Sequence, residues 1–176
     1  MGNLLFSPSG RIGPSAFMKG MIILAVIGAV ISLTGLINFQ ISQILGFVSF
    51  LLVIPLFFLL IKRTHDAGRS GWMSIVWFIL WLVIFVIISM IMSAVMPSAA
   101  EAELKQAVES AMLDGSGFSG IMELSKEMGP AVAKEAAIPS AISGLVGTGL
   151  AAFLINMLNK SNDHDNQFGP ATTGDS

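Results

Sequence analysis

Cysteine and tyrosine are both absent from the 176 residues. Without a thiol there is no disulfide, no thiolate metal site and no cysteine nucleophile. Without a phenol, one acid or radical carrier is also gone. Charge is scarce as well: 11% of the residues are Asp, Glu, Lys or Arg, against 54% hydrophobic. A soluble domain carries roughly 25% charged residues, so this supply cannot build a water-facing surface. An ordinary soluble enzyme, a nucleic-acid binder and a disordered tail are excluded. The net charge of -2 offers nucleic acid no attraction. With a mean hydropathy of +0.81, the composition is that of a small polytopic membrane protein.

The N-terminus lacks two common signals. In Met1-Gly2-Asn3-Leu4-Leu5-Phe6, Phe6 stands where myristoylation needs Ser or Thr. The first apolar run begins at Phe17, is as long as a bilayer span and is followed by further apolar sequence. A cleaved signal peptide has neither property.

Four apolar stretches are long enough to cross a hydrocarbon core as helices of about 20 residues: 17–37, 41–61, 72–96 and 137–158. The expected fold is therefore all-α, a polytopic bundle of four transmembrane helices. An acidic, partly helical loop, 97–136, joins the third to the fourth, and a tail, 159–176, follows. Lys19 can snorkel from the edge of the first span. Pro55 should kink the second, since its ring removes a backbone donor. Trp72 suits the interfacial belt, with Trp77 and Trp81 deeper. In the loop, Ser98-x-x-Glu101 fits a capping box, and Leu104, Val108 and Met112 recur at helical spacing. Gly115-Ser116-Gly117 should end that helix, and Gly129-Pro130 should stop a second short one. Such pieces would lie on the membrane surface or cap the bundle.

Orientation follows from Lys and Arg. Arg11, Lys19, Lys62, Arg63, Arg69 and Lys160 fall on one side, and only Lys105, Lys126 and Lys134 on the other. Both termini are expected in the cytoplasm, provided that 137–158 crosses.

No span carries Asp, Glu, Arg or His near its middle. Proteins keep such charges, at a cost of at least about 2.5–3.5 kcal/mol each, where ions or protons must pass. Their absence weighs against a pump. A transport path would have only Ser42, Ser49, Thr148 and Asn156 to use. Helix association in lipid relies on small residues. Span four supplies two rows, Ser140, Gly144, Thr148, Ala152 and Ser143, Gly147, Ala151; span one supplies Ala25, Gly28, Ala29, Ser32. These faces pack either within the chain or against another subunit, a protein partner or a second copy.

The chemistry-bearing residues concentrate in Lys62-Arg63-Thr64-His65-Asp66-Ala67-Gly68-Arg69-Ser70-Gly71-Trp72. This stretch resembles the Arg-Arg-Leu-His-Asp-x-Gly-Arg-Ser-Gly-Trp signature of the domain of unknown function 805 family, the YhaH-type bacterial inner-membrane proteins. Ser9-Gly10-Arg11-Ile12-Gly13 with Phe17 is similar to the N-terminal motif of that family, and Asn166-Gln167-Phe168-Gly169-Pro170 to its tail. Pro14, Met18 and Thr64 depart from the pattern, and 97–158 resembles an insertion relative to short members. The resemblance implies a bacterial inner-membrane location and no established activity.

The residues themselves suggest a cytoplasmic rim. Lys62, Arg63 and Arg69 at headgroup level would each contribute about 1 kcal/mol towards anionic lipid. Gly68 and Gly71 would allow positive φ, and Arg11 should pair with Asp66. A His65–Asp66 general base would need a geometry that adjacent residues seldom hold. Asp163-His164-Asp165 has ligand-type side chains, but such a run in a terminal segment is ordinarily just solvated. No catalytic, cofactor-binding or metal-binding residue is assigned. The expectation is a non-enzymatic accessory subunit whose rim, from Arg11 through Lys62, Arg63, His65, Asp66, Gly68, Arg69 and Gly71 to Trp72, contacts lipid or a partner. The alternative is a small transporter or channel.

Overall fold

A computed structural model describes residues 5–113 and 115–172. Met1 to Leu4 and Asp114, considered above for lipidation and acidity, lie outside them. Among the described residues the regular structure is all helical, with one isolated bridge, Asn166 to Gly169, in the tail. Its elements are α1 (Pro14–Leu33), α2 (Phe39–Ser49), α3 (Val53–Asp66), α4 (Ser74–Val95), α5 (Ala99–Leu113) and α6 (Gly117–Leu158). Four stretches are long and apolar enough to cross a membrane: Pro14–Leu36, Phe39–Asp66, Gly71–Val95 and Gly117–Leu158.

Local chemistry explains the boundaries. Pro14 opens α1 at a position whose N–H would have no partner anyway. The Asn38 side chain accepts from the Ile41 N–H at 3.1 Å and starts α2. Between α2 and α3 the α-helical ladder gives way to a 3-10 turn, Phe50–Leu52. That is where Pro55 acts, because its ring cannot give the α-helical bond to the carbonyl four residues earlier, on Leu51.

The acidic loop departs from expectation. Gly129-Pro130 does not stop a helix; α6 runs unbroken for 42 residues through Pro130 and Pro139. Each interior proline costs about 3 kcal/mol, and tertiary contacts outweigh it here. The Phe39 ring packs so closely on Gly129 that a Cβ there would sit 2.5 Å from its Cζ. Helix α5 lies along the first half of α6 with Ala100 and Ala111 buried. Ser98 Oγ accepts from the Glu101 N–H at 3.0 Å, one half of the capping box. The carboxylate that helps close this end is Glu135 of α6, accepting from Ser98 Oγ at 2.7 Å and from the Ala100 N–H at 3.1 Å. At 1.5 Å per residue α6 is about 63 Å long, twice a hydrocarbon core of about 30 Å. Its first half therefore projects beyond the spanning part, with α5 alongside.

Helix α6 is the hub, packing on α1, α4 and α5. Small residues set the distances. Ala25, Ala29, Thr148 and Ala152 are buried within the chain. Gly147 lies against the third span, where a Cβ would meet Phe85 Cα at 3.4 Å. Phe17, Met21, Leu59, Leu60 and Ile155 form a fully buried core near the end where α1 begins and α6 finishes. At the other end, Gly35 comes so close to α6 that a Cβ would lie 2.6 Å from the Ala133 carbonyl oxygen. Gly35→Ala should therefore destabilise the bundle by about 1–3 kcal/mol through overpacking. Gly149→Ala, where a Cβ meets nothing within 4 Å, should not. Thermal unfolding of both variants in mild detergent checks the contrast, and equal melting would refute it.

Candidate functional site

The second span stays helical to Asp66, so Lys62, Arg63, His65 and Asp66 lie on its last turn and not in a loop. Helix α3 then ends in a Schellman arrangement. The Gly68 N–H donates to the His65 carbonyl at 3.0 Å and the Arg69 N–H to the Thr64 carbonyl at 3.1 Å. This closure needs left-handed backbone at Gly68, which has φ of 70°. Gly71 is required for a different reason than positive φ: a Cβ there would stand 3.2 Å from His65 Nε2.

Four segments converge at this end. Asp66, fully buried, receives two guanidinium groups. Arg11 Nε donates to Asp66 Oδ1 at 3.3 Å, with its Nη2 at 3.2 Å from the same oxygen, and Arg63 Nη1 donates to Asp66 Oδ2. The Thr172 hydroxyl donates to Asp66 Oδ1 at 2.6 Å. The Arg11–Asp66 pair expected from the sequence is present; Arg63 and Thr172 complete it.

Both arginines also serve carbonyl groups. Arg63 Nη2 donates to the Asn159 carbonyl, while Arg63 Nε donates to Asn156 Oδ1 at 2.8 Å and its Nη1 to Ser161 Oγ at 2.9 Å. Arg11 Nη1 donates to the carbonyls of His164 at 2.8 Å and Gly169 at 3.2 Å, and its Nη2 to those of Asp66 and Asn162. The C-terminal ends of α3 and α6 meet here, each carrying unsatisfied carbonyls and about half a negative charge. Buried cations are what such a junction needs. Asn159 Nδ2 returns a bond to the Arg63 carbonyl at 2.9 Å, and Asn156 Nδ2 one to the Pro14 carbonyl at 3.1 Å.

The tail motif has structural work of its own. The Asn166 and Gly169 backbones pair to close a turn, and Asn166 Nδ2 donates to the His65 carbonyl at 3.0 Å. The Phe168 ring stacks on the His65 imidazole, centroids 3.9 Å apart and planes 3° from parallel. His65 Nδ1 lies 3.3 Å from the Gly10 carbonyl. N-terminal segment, helix end and tail are thus one clasp, and the tail lies at the same end as Arg11.

Several expectations change on this geometry. Lys62 and Arg63 are buried within the chain, so their side chains are not turned to the surroundings; Arg63 is only 1% exposed. Of the signature's basic residues only Arg69 is exposed, beside Trp72 at 80% exposure. Asp66 does not orient His65, because both its oxygens serve Arg11, Arg63 and Thr172. In the tail run, the His164 carbonyl binds Arg11 and Asp165 Oδ1 accepts from the Ala171 N–H. Among the described residues no three His, Cys, Asp or Glu gather as metal ligands. Asn156, Asn159, Ser161, Asn162 and Thr172 were not foreseen. Their one sequence signal is a run of amides just past an apolar helix.

A second feature lies nearer the other end, a cavity of about 430 Å³ between the first, second and fourth spans. Ser42, Ser49 and Thr148 line it. Asn156, the fourth polar residue of the imagined path, is held in the clasp.

A family model described as "Protein of unknown function (DUF805)" matches residues 5–170, from before the N-terminal motif to the end of the tail motif. The chain belongs to the DUF805 family. No curated protein and no solved structure matches it. In this DUF805 chain, three motifs far apart in sequence meet at one carboxylate.

Removing one partner of a buried ion pair leaves uncompensated charge, at about 3–5 kcal/mol. Asp66→Ala should therefore lower the melting temperature sharply and expose residues 159–172 to protease, whereas Arg69→Ala should do neither. Limited proteolysis in detergent, followed by mass mapping, tests this; a tail still protected in Asp66→Ala would show that the carboxylate does not hold it.

Proposed function

We propose that this protein is a non-enzymatic accessory component of a bacterial inner membrane, with both termini in the cytoplasm. Its exposed Arg69 and Trp72 engage anionic lipid. The observation that carries the reading is the division of labour within the signature. Lys62, Arg63 and Asp66 are buried, and Arg69 and Trp72 alone are turned outwards among the charged and aromatic residues of 62–72. An exposed arginine and an exposed tryptophan three residues apart suit a headgroup interface, where tryptophan is enriched and a basic residue attracts anionic lipid. The six-to-three distribution of Lys and Arg puts this end on the cytoplasmic side. The absence of an assembled His65–Asp66 pair favours a binding role over catalysis.

Arg69 should contribute about 1 kcal/mol, or roughly fivefold enrichment of anionic over neutral lipid. Protein purified from mixed-lipid vesicles, with its retained lipid quantified by mass spectrometry, should lose that enrichment in Arg69→Gln and keep it in Lys105→Gln on the opposite side. Unchanged lipid selectivity in Arg69→Gln would overturn the assignment. A stoichiometric protein companion lost with Arg69→Gln or Trp72→Ala would move the ligand of the rim from lipid to protein.

A small transporter is the second reading, favoured by Ser42, Ser49 and Thr148 on one cavity. Against it stands the apolar core, including Leu24, Leu56 and Leu60, between that cavity and the clasp. Solute flux into liposomes, abolished by Gly144→Leu, would put transport first.

A further inference from the structure

The cavity between the first, second and fourth spans has walls of an unusual kind. Gly28, Gly46 and Gly144, one from each of those spans, line it. A Cβ built on any of them meets nothing within 4 Å. Glycine in a helix bundle ordinarily admits a neighbouring backbone, as Gly35 does against Ala133. These three instead face open space.

The wall is chemically quiet. Ser32, Ser42 and Ser49 give their protons to carbonyls of their own helices, Gly28, Phe39 and Gly46, at 3.0, 2.7 and 2.6 Å. Thr148 Oγ1 accepts from Trp81 Nε1 at 3.2 Å. A bound water needs two to four polar partners, and hydroxyls already engaged with their own helices are poor ones. Apart from Ser140 on the rim, the remaining lining is apolar, including Leu24, Ile31, Leu56 and Phe85.

Access is from the side of the second span. No residue of α2 or of the 3-10 turn after it is buried, so this half of the span turns most of its surface outwards, with the Phe39 ring packed on Gly129 of α6. Ser140 on the rim is exposed, and Gly46 and Gly144 are half-buried. The volume, about 430 Å³, lies within the roughly 300–1,000 Å³ of small-ligand pockets. The spans that enclose it are apolar enough to sit in a bilayer, whose interior is hydrocarbon.

We propose that this cavity takes one hydrocarbon chain of a membrane lipid, seated between the first, second and fourth spans with its end toward Leu24 and Leu56. The proposal requires only that the four spans lie in a membrane. It is independent of the Arg69–Trp72 rim.

Trp81 lines the cavity and can report on it. The test uses the full chain carrying Trp72→Phe, which leaves Trp81 and the buried Trp77 as the fluorophores. It is reconstituted in vesicles of phosphatidylcholine with or without bromine at mid-chain, since bromine quenches indole emission on contact. Bromolipid should quench a large part of the emission. Gly144→Leu, which fills the cavity from the fourth span, should remove most of that quenching, and Gly46→Leu, filling it from the second, should do the same. Melting in detergent shows that each filled variant is folded, and two walls keep the test open if one variant is not. Quenching that persists in both folded variants would place the bromine in the surrounding bilayer and overturn the proposal. So would the absence of quenching in the unfilled protein. Unchanged lipid selectivity in Arg69→Gln, which overturns the rim assignment, would leave all these outcomes unaltered, so the two assignments fail separately.

Discussion

Everything at the ordered end of this bundle depends on one buried carboxylate. Two apolar spans finish side by side there, and each delivers carbonyl groups that its own helix cannot satisfy. Arginine is the residue that can serve such a junction. Arg63 uses Nε and both terminal nitrogens at once, on Asn156, Asp66 with Ser161, and the Asn159 carbonyl. A lysine ammonium could not reproduce that planar fork. Two buried guanidinium groups repel each other, however, and Asp66 between them makes the arrangement tolerable. The charge-assisted bonds are the stronger for being shielded from solvent.

The two ends of the molecule obey different rules as a result. At the clasp, polar groups buried next to hydrocarbon must be paired, so geometry is closely specified. Towards the opposite end, α2 buries nothing and its serines satisfy themselves on their own helix. Lipid tails are as apolar as leucine, so no hydrophobic force presses the second span inwards. Glycines that would draw helices together in one place, such as Gly35, elsewhere leave a gap, as at Gly28 and Gly144. The clasp is fixed by paired charges, and the opposite end by close contacts such as Gly35 on Ala133 and the Phe39 ring on Gly129.

The sequence was most legible where one-dimensional patterns carry the physics. Hydropathy alone located four spans, the missing α-helical bond near Pro55 was foreseeable, and Arg11–Asp66 followed from placing two motifs on one side. It was least legible where a contact joins distant segments. Arg63 at the end of an apolar run looks like a headgroup anchor, because the groups that hold it lie about a hundred residues further on, at Asn156, Asn159 and Ser161. Gly129-Pro130 reads as a stop by local rules, and only the Phe39 ring and the α5 helix show why α6 continues. Gly71 illustrates a subtler limit. Its identity suggested a turn, whereas the constraint is the nearness of the His65 ring.

The signature shared with the DUF805 family therefore reads as architecture before chemistry. Gly10, Arg11, His65, Asp66, Asn166, Phe168 and Gly169 each make a contact that fastens one segment to another. Here these groups are turned upon one another. What is left to meet the surroundings is of two kinds, an exposed arginine and tryptophan beside the clasp and an apolar recess away from it. The recess borders the outward-facing half of the second span, and the apolar core separates it from Asp66. A chain could enter or leave it by adjusting α2 alone. The clasp would then keep the ends of the spans in register while the far half of the second span responds to its lipid.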